Sequence, residues 1–148
     1  MPQLDLNDFL PYRLSRSAAL ISRKLRAIYR RKYGLTVPEW RCLAILGTED
    51  NITASHICQR TDMHKTKVSR AIQKLARMKV VMRVENPTDR RSEFLSLTPR
   101  GKSLFNNIVP EMLAFEARLA NALNASDINH IITLLNRLDK ALANFKDG

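Results

Sequence analysis

The sequence predicts a mainly α-helical fold carrying one small β-hairpin. Apolar residues recur at three- and four-residue spacing over most of the chain, and between Val80 and Thr98 that period switches to two. Composition sets the scale: 148 residues, 45% of them hydrophobic, bury one good core, in one domain or a domain with helical extensions.

The elements follow in order. "FLPYRLSRSAALISRKLRAIYRRKYG" sets Leu14, Ala18, Ile21, Leu25, Ile28 and Tyr29 on one face of a long helix that Gly34 stops. "TVPEWRCLAILGT" reads as a second helix, with Thr36 as N-cap, Pro38 in the first turn and Gly47 near the end. "TASHICQR" is a short third helix capped by Thr53. "HKTKVSRAIQKLARMK" is a fourth, with Val68, Ile72, Leu75 and Met78 in one stripe. "VVMRVE" and "SEFLSLT" then alternate around a Pro-containing turn, the pattern of a hairpin. Thr98 is placed to cap a fifth helix running through Leu104, Ile108, Met112, Phe115, Leu119 and Leu123, with a kink expected at Pro110. Ser126 is the expected cap of a last helix lined by Ile128, Ile131, Leu135, Leu138 and Leu142.

Charge says where a partner would sit. The chain carries a formal +11. Residues 51–102 hold 12 Lys and Arg against 4 Asp and Glu, a net +8, so the polyanion meets the middle third. No run of about 18 apolar residues appears and the N-terminus is too polar for a signal peptide, so a cytoplasmic protein is expected.

Two short helices joined by a tight turn, the second one basic, followed by a hairpin with basic residues at its tip, make the plan of a winged helix-turn-helix. The expected segments are an N-terminal helix over 1–34, a DNA-binding lobe over 35–100 and C-terminal helices over 101–148. Within the lobe the recognition helix covers about 64–79 and the wing about 80–98. If the fourth helix buries its stripe, Lys65, Thr66, Ser69, Arg70, Gln73 and Arg77 face outward, able to enter a major groove. His64, Lys67 and Lys74 on the same helix, and Thr53 and Ser55 at the start of the third, complete the candidate contacts there. Asp89, Arg90 and Arg91 form the tip, narrow enough to reach a minor groove whose negative potential favours a guanidinium.

The stretch "TDMHKTKVSRAIQKLARMKVVMRVENPTDRRSEFLSLTPRG" resembles the core of the MarR family of bacterial transcription regulators. The wing of that family reads Asp-x-Arg followed by Leu-x-Leu-Thr-x-x-Gly, matched here by Asp89, Arg91, Leu95, Leu97, Thr98 and Gly101. The long first helix, "GLTVPEWRCLAILG" and the two C-terminal helices fall in family order, so the resemblance covers nearly the whole chain. It implies a homodimer whose first and last two helices interlock as dimerisation helices, each subunit setting one recognition helix and one wing on a pseudo-palindromic operator in double-stranded DNA. It also implies Arg91 in the minor groove with Asp89 bracing it, and Arg90 on phosphate. The family usually has Gly after the recognition helix, where this chain has Lys79. Either Lys79 takes a left-handed conformation at a cost of about 1 kcal/mol, or the connection is built differently.

The resemblance further implies an effector pocket between the dimerisation helices and the DNA-binding lobe, often for aromatic acids or their derivatives. Tyr12, Arg13, Ser15, Trp40 and Arg41 are the residues that could converge there on an aromatic acid or its thioester. A repressor released by such a ligand is the expected function. Redox control through Cys42 or Cys58 is an alternative, although the peroxide-sensing members carry a cysteine near the start of the first helix and this chain has none before Cys42. Another alternative is a basic amphipathic helix lying on an anionic membrane, through Arg16, Arg23, Lys24, Arg26, Arg30, Arg31 and Lys32. Catalysis is not expected, nor is a metal or cofactor. His56, His64 and His130 lie on separate helices, no Cys-x-x-Cys occurs, and 4 glycines make no phosphate loop.

Overall fold

A computed structural model describes residues 1–147. Six helices and one hairpin follow in order: α1 (Leu10–Tyr33), α2 (Val37–Thr48), α3 (Ala54–Thr61), α4 (Lys65–Arg77), β1 (Val81–Glu85), β2 (Glu93–Leu97), α5 (Pro99–Ala122) and α6 (Ala125–Ala143). The chain divides into two compact units, Met1–Val109 and the residues from Pro110 onward. No helix among the described residues is long and apolar enough to cross a membrane.

In the first unit the core is built where α2, α3, α4 and the hairpin meet. Cys42, Leu43, Leu46, Ile57, Val68, Leu75, Leu95 and Leu97 are buried there. The α4 stripe appears as expected, with Val68 and Leu75 fully enclosed, each worth about 1.5–3 kcal/mol of apolar burial. Met78 is only half-buried because the helix has already ended.

Local chemistry sets the boundaries. Gly34 ends α1 in the left-handed conformation, φ 67°, and its N–H donates to the Arg30 carbonyl. Thr36 and Glu39 form a reciprocal capping box at α2, and the Thr53 hydroxyl accepts from the His56 N–H at 3.2 Å to start α3. At α6 the expected cap is corrected. Asn124, not Ser126, takes the extended N-cap conformation and accepts from the Asp127 N–H at 3.0 Å, while the Ser126 hydroxyl donates to Asn124. Helix α5 continues through Pro110 as one element.

The hairpin pairs antiparallel, Val81 with Leu97 and Arg83 with Leu95. A third strand contact was not expected: Ile52, between α2 and α3, bridges the other edge of β2, exchanging both backbone hydrogen bonds with Leu95 at 3.1 and 2.7 Å. This ties the wing to the base of α3.

Lys79 takes the left-handed conformation at φ 62°. Its N–H donates to the Ala76 carbonyl and the Val80 N–H to Leu75, the paired bonds of a Schellman ending. The Thr98 hydroxyl donates to the Lys79 carbonyl at 2.7 Å and accepts from the Gly101 N–H at 3.0 Å, so one side chain caps α5 and fixes the turn after α4. Gly101 is required by the same joint, since a Cβ there would lie 2.0 Å from the Val80 carbonyl oxygen. Because Lys79 is exposed, Lys79→Gly should relieve the left-handed strain without loss of packing. A net stabilisation of roughly 0.5–1 kcal/mol is expected after the extra freedom of the unfolded chain is subtracted. Urea denaturation measures it, and a lowered midpoint would mean that the turn is not strained.

Candidate nucleic-acid interface

The turn between α3 and α4 is Asp62, Met63 and His64. Asp62 adopts φ 55°, a conformation its short polar side chain tolerates, and Met63 is buried beneath it. His64 is the N-cap of α4, its Nδ1 accepting from the Thr66 N–H at 3.2 Å. The sequence reading of His64 as a DNA contact is thus qualified, because one ring nitrogen is committed to starting the helix.

Beyond that cap α4 presents the expected face. Lys65, Thr66, Lys67, Ser69, Arg70, Gln73, Lys74 and Arg77 are all exposed, while Val68, Ala71, Ile72 and Leu75 face the core. Between this helix and the hairpin runs an open cleft of about 470 Å³. Thr53, Ser55, Lys65, Ser69 and Gln73 line it from the helix-turn-helix side, and Arg90 and Arg91 from the hairpin. The fold therefore brings seven of the sequence candidates together. Thr66, Lys67, Arg70 and Lys74 lie on α4 outside that lining, as do His64 and Asp89 outside it on their own elements. Sequence reasoning missed Arg83, which also lines the cleft. Its cross-strand partner is the buried Leu95, so Arg83 shares the inward face of the sheet.

The tip is held by its own hydrogen bonds. Asn86, 9% exposed, accepts through Oδ1 from the Thr88 N–H and hydroxyl at 3.0 and 2.8 Å and donates to the Ser92 hydroxyl at 3.1 Å. Asp89 Oδ1 accepts from the Arg91 backbone N–H at 3.0 Å. The expected brace is corrected in kind: Asp89 fixes the turn backbone. Among the described residues no ion pair joins it to the Arg91 guanidinium.

Behind the interface, Glu49 at the end of α2 accepts from His56 Nε2 and Arg60 Nε, both at 3.1 Å, tying α2 to α3. The His56 and Arg60 hydrogen bonds hold its carboxyl below the usual carboxylate range. Burial, then the neighbouring Cys58 and Glu39, push the Cys42 thiol up to about 12, which leaves it protonated and a poor nucleophile at neutral pH.

The effector candidates separate into two groups. Trp40 stacks on Tyr29 with ring centroids 5.6 Å apart, and both line a groove of about 300 Å³ with Arg41, Ala18, Ile21 and Leu25. Burial raises the Tyr29 phenol above its ordinary value, with Arg41 and Arg26 opposing. Tyr12, Arg13 and Ser15 do not line this groove. Ser15 lies three residues before Ala18, the nearest lining residue of α1, about 4.5 Å along the helix axis, and the Arg13 guanidinium donates to the Asn7 carbonyl at 3.4 Å. Of the five, Trp40 and Arg41 line the groove within one chain.

A family model described as the MarR family matches residues 33–92, the span that holds the helix-turn-helix and most of the hairpin. Over that span the chain resembles the MarR family. It is 29% identical to the HTH-type transcriptional regulator PecS of Dickeya dadantii, across 97% of this chain and 88% of that protein. It is 28% identical to the HTH-type transcriptional regulator TcaR of Staphylococcus aureus, across 94% of each. The crystal structure of the MarR family regulator SPO1453 from Silicibacter pomeroyi superposes with a TM-score of 0.82 at 27% identity, covering 95% of this chain and 99% of that one. The matching relatives are HTH-type transcriptional regulators, which are DNA-binding proteins and not enzymes.

Proposed function

We propose that this regulator is a repressor that binds a pseudo-palindromic operator as a homodimer and leaves it when a small anionic ligand, an aromatic acid or its thioester, binds at the α1–α2 groove. The carrying observation is the basic cleft that α4 and the hairpin share, where Lys65, Arg90 and Arg91 stand beside the hydrogen-bonding Ser69 and Gln73. Cations there suit phosphates, and Ser69 and Gln73 suit base edges. The dimer is supported by apolar residues of α1 and α6 that the single chain leaves open, among them Leu20, Ile21, Ile131 and Leu135. The ligand reading rests on the groove in which a stacked aromatic pair stands beside the Arg41 guanidinium.

Selection of bound fragments from random duplex DNA tests the first part. A sequence with dyad symmetry is expected, its half-sites one helical turn or a multiple apart. Recovery of single asymmetric sites would overturn the dimeric reading. For the ligand, Arg41→Ala should leave operator affinity nearly unchanged and raise the concentration of aromatic acid needed for release about tenfold or more, the size of a lost charge-assisted bond. Arg13→Ala should do the same only where a second copy brings Arg13 to the groove. Release by Arg41→Ala at the parent's ligand concentration would remove the groove from the reading.

A further inference from the structure

We infer that Glu93 sets how strongly the protein discriminates its operator from bulk DNA, by holding Arg83 back from phosphate until an operator is seated; this rests on the DNA-binding reading above. Glu93 is the acidic member of the cleft lining. Its Oε2 lies 3.8 Å from Arg83 Nε, and the two side chains are 39% and 51% exposed, Arg83 first. A pair this long and this wet is weak, so an arriving phosphate can compete for the guanidinium. The pairing has a local cause. Glu93 stands directly across the hairpin from Glu85, a like-charge juxtaposition that Arg83, two residues before Glu85 on the same face, offsets.

The consequence differs for the two kinds of DNA. Binding to random sequence comes almost entirely from phosphate neutralisation, so a carboxylate in the cleft and a guanidinium tied to it act against it directly. An operator adds base contacts from α4, which can hold the duplex in place while Arg83 exchanges Glu93 for a phosphate. Glu93 is thus a positioning residue: it acts through Arg83, and its effect falls mainly on non-specific affinity.

The test compares the intact protein with Glu93→Gln, Arg83→Gln and the double variant, each titrated against the selected operator and a short duplex of random sequence at several salt concentrations. Glu93→Gln is expected to tighten random-duplex binding by roughly fivefold at low salt, about one unit-charge interaction at contact distance in water. Its salt slope on random duplex should steepen by about 0.9, one added phosphate contact. Operator affinity should change less, so the operator-to-random ratio falls. In the double variant the steepening should vanish, because the freed cation is gone. Glu93→Gln with the parent's salt slope on random duplex would overturn the inference, as would equal tightening on both duplexes. A parent that binds neither duplex with a salt-dependent affinity would instead overturn the DNA-binding reading itself. Matching thermal melts of the variants and the parent show that the comparison concerns charge and not folding.

Discussion

A chain carrying Leu135→Glu is expected to sediment as a monomer where the parent sediments as a dimer, and to lose operator binding with it. Helix α6 contains no buried residue. Ile131, Ile132, Leu134, Leu135 and Leu142 are 39–50% exposed along its length. Helices in proteins owe most of their stability to packing an amphipathic face, and α6 leaves the apolar residues of its face open. Something must cover that face, and a second copy related by a twofold axis presents a matching one. A carboxylate in the interface would then be desolvated twice, once per subunit, for a weakening of the dimer of roughly a thousandfold or more. Sedimentation velocity over nanomolar to micromolar concentrations reads the dissociation constant, and operator titration reads the consequence. Leu135→Ala should show the same effect in smaller measure. A folded monomeric parent at low micromolar concentration, or a dimeric Leu135→Glu, would reject this architecture.

What the sequence made legible was whatever short-range chemistry decides. Thr36, Thr53 and Thr98 are caps because a hydroxyl before an apolar-periodic run has one good use, and the hairpin declared itself when the apolar period fell to two. Ile52 was invisible because a single bridging residue has no period. Asn124 and Ser126 are both capping types two positions apart, and only the backbone conformation chooses between them. The charged α4 face could be named residue by residue, since the buried stripe fixes its phase. Arg83 could not be placed in that way. Its presence in the cleft depends on the register that sets it opposite Leu95, and a slip of one residue would have sent it to the other face. That only Trp40 and Arg41 of the effector candidates line the groove has the same class of reason, because helical spacing places residues on a face without saying which stretch of that face meets another helix.

Arg91→Ala is expected to weaken operator binding by roughly tenfold at moderate salt and to flatten the salt dependence by about 0.9, while leaving preferences at major-groove positions nearly unchanged. Arg91 stands at the hairpin side of the cleft, beside a tip whose backbone is pinned by Asn86 and Asp89. On the proposed reading a guanidinium carried there would meet the backbone and the degenerate minor-groove edge, which offers charge and width more than a unique base pattern. Ser69 and Arg70 on α4 should behave otherwise, their replacement relaxing discrimination at particular base pairs by about 1–3 kcal/mol each. Asp89 separates the two kinds of brace. Because its Oδ1 accepts from the Arg91 backbone N–H, Asp89→Ala should loosen the tip and partly mimic Arg91→Ala, with about 1–2 kcal/mol of backbone freedom to be lost on binding. Asp89→Asn keeps an acceptor at the same place and should retain most of the parent's affinity. Were Asp89 acting through charge on the guanidinium, the Asn variant would fall as far as Ala. Titration of operators with A·T-rich and G·C-rich wing sites, at several salt concentrations, reads all of these together. Parental affinity for Arg91→Ala at every salt would leave the tip as a solvated turn, with the cleft's cations at Lys65, Arg83 and Arg90 carrying the phosphate contacts alone.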